Sequence, residues 1–259
     1  MLQFIRKLFK SSPEPKGQHV IAQTGYGPMI VNAHDAYVGR DILRYGVWQR
    51  NEIETLLKLA RFLIARHGAI TAYDIGANFG MHSLALGRTF GPAITIRAFE
   101  AQEPVFNMLC GTLALNGLQN VHCHCNAVAA EAGQVLRLNL PDYDVTNNLG
   151  SFEVLPALRS DNNFLIRSGR IQEVKTLTVD SFAEPVHLMK IDVEGMEGDV
   201  LRGAAKTIAA YRPVCHVEIL KGDARVIHAF FAQHNFLVLP NGADALAIPA
   251  EMSEELAQA

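Results

Sequence analysis

The sequence predicts one open α/β domain, a mostly parallel sheet with helices on its faces. Three observations predict it. From residue 53 onward, apolar runs of strand length alternate with longer amphipathic stretches. A glycine turn follows the first of these runs, and acidic residues stand at the ends of later ones. With 259 residues, 49% of them hydrophobic, the chain has enough apolar material for one large core.

The elements follow in order. A helix over 52–66 leads to a strand over 69–75, a glycine turn and a helix over 79–88. A strand over 93–99 precedes a helix over 104–115, which Asn116-Gly117 ends. A strand over 121–128 comes next, and residues 135–140 alternate like an antiparallel strand. Residues 141–170 are polar and rich in Asn and Asp, with no sustained period, and read as an insertion or lid. Regularity returns with 174–182, a strand over 187–193, a helix over 197–211 and a strand over 213–220. A helix over 223–235 and a closing strand over 236–239 complete the series. The domain is therefore expected to span 51–259. Residues 1–50 stand outside the alternation, and Pro13, Pro15, Gly25, Gly27 and Pro28 predict an irregular N-terminal extension over the sheet edge or the mouth of the site.

Composition narrows the partners. A net charge of −3 without a dense Lys/Arg stripe argues against nucleic acid. The four cysteines form no CxxC pair, which suits a reducing compartment. Arg6, Lys7 and Lys10 interrupt what a signal core would need, and no run reaches membrane-spanning length, so a soluble cytoplasmic protein without stable membrane insertion is expected. Leu2, Ile5 and Phe9 fall at helical spacing beside these basic residues, the pattern of a short membrane-surface helix or, more commonly, of a helix capping its own domain or a partner. In residues 121–125, alternation sends His122 and His124 to one face and Cys123 and Cys125 to the other, against a tetrahedral zinc site.

The most informative segment is YDIGANFG at 73–80, where the first strand gives way to a helix. Gly76 and Gly80 let the backbone turn sharply and approach a ligand, and Asp74 places negative charge beside the turn. No GxxxxGK[ST] string is present, and Asn78 stands where the dinucleotide fingerprint GxGxxG requires glycine. S-adenosylmethionine carries no phosphate but has an ammonium and a sulfonium, so a carboxylate there attracts it. Glu100, at the end of the second strand, can accept both ribose hydroxyls, a device that nicotinamide enzymes share. A plain tight turn with Asp74 as a cap is the structural alternative.

A second cluster, LMKIDVEGME at 188–197, again ends a strand. Asp192, Glu194 and Glu197 either bind a ligand there or cap the following helix.

Together these segments resemble the FkbM family of methyltransferases: YDIGANFG, AFE at 98–100, Asn116-Gly117-Leu118 with Asn120-Val121, KTLTVDSF, LMKIDVEGMEGDVL and RPVCHVEIL, in order over roughly 45–220. The resemblance implies a Rossmann-like class I methyltransferase fold with a seven-stranded, mostly parallel sheet, S-adenosylmethionine as cofactor, and O-methylation of a metabolite or glycan hydroxyl. By position, Asp74, Gly76, Ala77, Asn78 and Gly80 would surround the methionine end, Glu100 would hold the ribose, and Asn126 and Ala127 would lie by the adenine. Asp192, Glu194 and Glu218 would face the transferring methyl group and the acceptor. Tyr37, Trp48 and Glu52 would wall the pocket or pack the extension. Where the family commonly has proline directly after the ribose acid, this chain has Ala101, with proline only at Pro104.

Asp192 is the first candidate for base or acceptor-orienting group, with Glu194, Glu197, Glu218, His82 and His216 behind it. A divalent metal held by Asp192 with Glu194, Glu218, Asp142 or Asp144 is the less favoured arrangement. Asn147, Asn148, Ser151 and Arg159 of the insertion can hydrogen-bond a sugar-like acceptor. The competing readings are a nicotinamide oxidoreductase and a non-catalytic cofactor- or partner-binding module.

Overall fold

The computed structural model describes residues 18–150 and 166–257. Its first elements are a hairpin of β1 (His19–Thr24) and β2 (Gly27–Asn32), followed by helix α1 (Val38–Tyr45). Helix α2 (Arg50–His67) then leads into β3 (Ile70–Ile75), α3 (Met81–Phe90), β4 (Ile94–Phe99), α4 (Glu103–Leu115) and β5 (Val121–His124). A side sheet follows, in which β6 (Ala127–Val128) and β7 (Val135–Pro141) flank β8 (Arg167–Leu177). The chain returns to the centre with β9 (Leu188–Ile191), α5 (Glu197–Arg202), α6 (Ala205–Tyr211), β10 (Val214–Glu218), α7 (Ala224–Gln233), β11 (Phe236–Asn241) and β12 (Asp244–Pro249).

The central sheet has seven strands in the order β11-β12-β10-β9-β3-β4-β5. β12 runs antiparallel to both of its neighbours, and the other adjacent pairs are parallel. The expected seven-stranded, mostly parallel α/β fold is therefore present. β3 lies in the middle, where it is buried along nearly its whole length and covered on both faces. The chain leaves β3 toward β4 and β5 on one side and later returns to β9 on the other. This reversal opens a crevice at the carboxyl ends of β3, β4 and β9.

Several elements depart from the expected boundaries. Residues 19–32 of the extension, expected to be irregular, form a hairpin that turns at Gly25-Tyr26 and docks on α4. There the Ile30 amide donates to Thr112 Oγ1 and the Asn116 side-chain amide donates to the Pro28 carbonyl. The strand expected over 121–128 breaks after His124, and Ala127–Val128 crosses to pair with β8. The helix expected over 197–211 is two, parted at Gly203, where a side chain would overlap the Ala129 carbonyl. β12 was absent from the sequence reading, although the turn Asn241-Gly242 before it is a hairpin signal. Ser151 and Arg159 lie outside the described residues. Among those described, no helix is long and apolar enough to cross a membrane.

Candidate functional site

The turn after β3 is shaped by its backbone. Gly76 and Ala77 both donate their amides to the Phe99 carbonyl, so the chain folds back over the end of β4. Gly76 has φ +83°, and a Cβ there would overlap the Asp192 carbonyl oxygen. Asn78 takes a left-handed conformation, φ +51°, with its side-chain oxygen accepting from the Phe79 amide. Across the crevice, Glu194 is also left-handed, φ +57°, and Gly195 follows at +105°, so the chain turns tightly as it leaves β9.

Between these turns lies a cavity of about 360 Å³. Gly76, Asn78, Glu100, Asn126 and Ala127 line it from the β3, β4 and β5 side. Asp192, Glu194 and Glu218 line it from the β9 and β10 side. Tyr37, Trp48 and Gln49 of the extension close part of its mouth. Thus five of the eight cofactor candidates and all three catalytic candidates share one cavity. Asp74, Ala77 and Gly80 stand behind the wall: Asp74 and Ala77 are 2% exposed, and Gly80 packs on Leu109. Asn147 is buried and holds the insertion together, accepting from the Ile166 amide and donating to the Asp142 and Ile166 carbonyls.

Glu100 is fixed by two backbone amides, one per oxygen: Asn78 N–H to Oε2 at 3.0 Å and Gln102 N–H to Oε1 at 2.9 Å. A carboxylate has about four lone-pair sites, so each oxygen retains capacity for a ligand hydroxyl. Burial pushes Glu100 up to about 7, against the lowering effect of those amides.

The opposite wall is acidic. Burial and the neighbouring Asp192, Glu194 and Glu197 push Glu218 up to about 9, and its Oε2 is buried without a hydrogen-bond partner. Burial raises Glu194 to about 7, although Lys221 forms an ion pair with it. Glu197 is fully buried and accepts from the Val193 and Gly195 amides, which makes it a brace for the turn. Among the described lining residues there are four carboxylates and one cation, Lys221, already engaged by Glu194.

Beneath the cavity lies a buried polar tier. Asp74 accepts from the Ser83 hydroxyl at 2.7 Å and lies 4.0 Å from Lys190 Nζ. Glu52 Oε1 is 3.4 Å from His82 Nε2 and 3.7 Å from His216 Nδ1. Burial and the Lys190 charge drive His216 down to about 4 and lower His82 as well, while burial lifts Glu52 to about 8. All three are thus neutral near pH 7, and none lines the cavity. Lys190 escaped the sequence reading as a site residue. A lysine inside an apolar strand was the available signal, since such a group needs buried acceptors. Among the described residues, no group of three or more His, Cys, Asp or Glu has a metal-holding arrangement.

The model of the methyltransferase FkbM domain matches residues 74–238. A curated protein of Beauveria bassiana (strain ARSEF 2860), methyltransferase 1, is 29% identical over 142 residues, covering 50% of this chain and 56% of that protein. The chain thus spans little more than half the length of that relative. Among solved structures, the methyltransferase FkbM from Methylobacillus flagellatus KT aligns with a TM-score of 0.47 at 13% identity, over 81% of this chain and 60% of its own. A putative rRNA-methylase from Clostridium thermocellum aligns with a TM-score of 0.42 at 12% identity, over 69% of this chain and 84% of its own.

Proposed function

We propose, from the premise that this chain belongs to the FkbM methyltransferase family, that it transfers the methyl group of S-adenosylmethionine to a hydroxyl oxygen of a small molecule or glycan, in the cytoplasm. The observation that carries this reading is the acidic lining of the cavity: four carboxyl groups line it, of which Glu218 holds its proton at neutral pH, and its one described cation is paired. Such a lining attracts a sulfonium and an ammonium and repels a pyrophosphate. It therefore favours S-adenosylmethionine over a nicotinamide dinucleotide.

The residues present suit that cofactor. Glu100, with one lone-pair site per oxygen spent on backbone amides, would accept the two ribose hydroxyls. Asn126, Ala127 and Val128, with Phe99, offer a mostly apolar surface for the adenine. Bound there, S-adenosylmethionine supplies an electrophilic methyl carbon. The enclosing walls align the acceptor and exclude water, the main contributions expected for an in-line displacement.

Asp192 would orient the acceptor hydroxyl and take its proton, a role supported by a side chain that is 23% exposed and has one oxygen engaged by Lys190. Glu218, carrying a proton in the free protein, serves as a hydrogen-bond donor at neutral pH. The strained conformation of Glu194 points the same way, since such residues concentrate at sites of function.

Isothermal titration with S-adenosylmethionine and with NAD tests the cofactor. Tight NAD binding without S-adenosylmethionine binding sinks the reading. Transfer of a labelled methyl group to panels of sugars, alcohols and amines tests the acceptor; label on amines alone removes the oxygen assignment. With an accepted alcohol, Asp192→Asn should lower kcat far more than it weakens cofactor binding.

A further inference from the structure

Lys190 carries a charge in a nearly closed environment, 4% exposed in the middle of the sheet. Strand register sets it beside Asp74 on β3 and His216 on β10. Its ammonium has three hydrogens and three oxygens within reach: the Gly76 carbonyl at 3.1 Å, Asp192 Oδ2 at 3.1 Å and Asp74 Oδ1 at 4.0 Å. Two of these oxygens belong to cavity-lining residues on adjacent segments, Gly76 in the turn after β3 and Asp192 after β9.

We propose that Lys190 is a positioning residue, an ammonium beneath the cavity floor that ties the Gly76 turn to the Asp192 carboxylate and so fixes the crevice in its ligand-binding shape. This inference rests on the S-adenosylmethionine reading for its ligand but not for its geometry. No other contact bridges these two segments through a side-chain charge among the hydrogen bonds and ion pairs of the described residues. The backbone joins the same segments through the β3–β9 ladder, the Asp192 amide donating to the Ile75 carbonyl, and through the packing of Gly76 on the Asp192 carbonyl, but none of these contacts holds the Asp192 carboxylate. Asp74 acts through the same ammonium. Standing behind the wall, it supplies the counter-charge that keeps Lys190 in place, which explains an acid at this turn that does not reach the cavity.

The effect on cation chemistry follows from Coulomb's law. Burial opposes the charge on Lys190, but Asp192, Asp74 and Glu52 outweigh it and hold its proton well above the ordinary lysine range. The cation therefore persists at every working pH, and the clamp is permanent rather than switched.

Lys190→Met keeps the unbranched stem and removes the ammonium; Lys190→Met with Asp74→Asn removes both members of the buried pair and serves if the single variant does not fold. Two measurements on the full chain decide the matter. In hydrogen–deuterium exchange without ligand, peptides covering 74–80 and 190–196 should exchange faster in the variant while the α7 peptide over 224–233 stays at its wild-type rate. Uniform acceleration along the chain overturns the proposal, because Lys190 then only supports the fold. In calorimetric titration with S-adenosylhomocysteine, loss of the ammonium should weaken binding by about tenfold or more. The same substitution in an Asp192→Asn background should cost much less, since the two side chains act as one unit. Two losses that simply multiply overturn it. Wild-type protein that binds neither S-adenosylmethionine nor S-adenosylhomocysteine removes the cofactor reading alone, and the exchange pattern then decides for or against Lys190.

Discussion

At Gly76 the backbone needs both a left-handed conformation and open space, and a methyl group would violate each requirement. Its φ is +83°, and the Asp192 carbonyl oxygen already occupies the Cβ position. Gly76→Ala should therefore destabilise the protein by on the order of 3 kcal/mol, read as a lower urea midpoint at unchanged slope. Glu100 makes a different demand. Glu100→Ala strands the Asn78 and Gln102 amides and removes the ribose acceptor at once. Titration with S-adenosylmethionine should show a loss on the order of tenfold to a hundredfold. Glu100→Gln, which still offers one oxygen, should lose less.

The hairpin β1–β2 and helix α1 show how an extension becomes part of a site. Thr112 Oγ1 receives the Ile30 amide, and Asp35 receives the Tyr37 and Gly39 amides on one oxygen and the Leu149 amide on the other. Asp35 thus starts α1 and pins the loop that carries Asn148 and Gly150, both of which line the cavity with Tyr37. Thr112→Val orphans the Ile30 amide and should cost about 1–2 kcal/mol in chemical denaturation. If the protein unfolds as before, the hairpin contributes no stability through this contact. At this scale the sequence was legible where the repeat was regular. The residues of β3, α3, β4 and α4 fall within a few positions of their expected ranges because each keeps one apolar period. It was less legible at His19–Thr24 and Asp244–Pro249, short runs whose strand character comes from pairing with a neighbour.

Across the whole molecule, the buried acids set a pH dependence. Burial raises Glu100 and Glu194 to about 7, Glu52 to about 8 and Glu218 to about 9, each from 4.5. Each therefore binds its proton more tightly in the folded state, and that contribution is lost as pH rises through the folded value. His216, lowered from 6.5 to about 4, and His82 act in the opposite sense, gaining stability as pH rises toward 6.5. Above about 6.5 these histidines, with His124 and His187, which burial also lowers, have made most of their gain, and the four raised acids dominate. The ligand-free protein should melt at a lower temperature at pH 8 than at pH 6.5 in thermal scans. S-adenosylmethionine, bringing positive charge to the acidic wall, should reduce that loss more than S-adenosylhomocysteine does. A melting temperature that rises over the same interval contradicts the assignment of these acids.

The family, the open α/β sheet and the sequence of turn, ribose acid and acidic strand end were determined by the sequence alone, because they depend on periodicity and on residues close together along the chain. Which of those residues meet was decided by the tertiary structure. Asp74 and Asp192 look equivalent as acids at strand ends, yet one lies under the wall and the other in it. The difference is a matter of register: Asp74 pairs with Lys190, two residues before Asp192, and the turn at Gly76 carries the chain over it. Lys190, His82, His216 and Glu52 come from two strands and two helices far apart in sequence, and only the folded sheet brings them into a single buried tier.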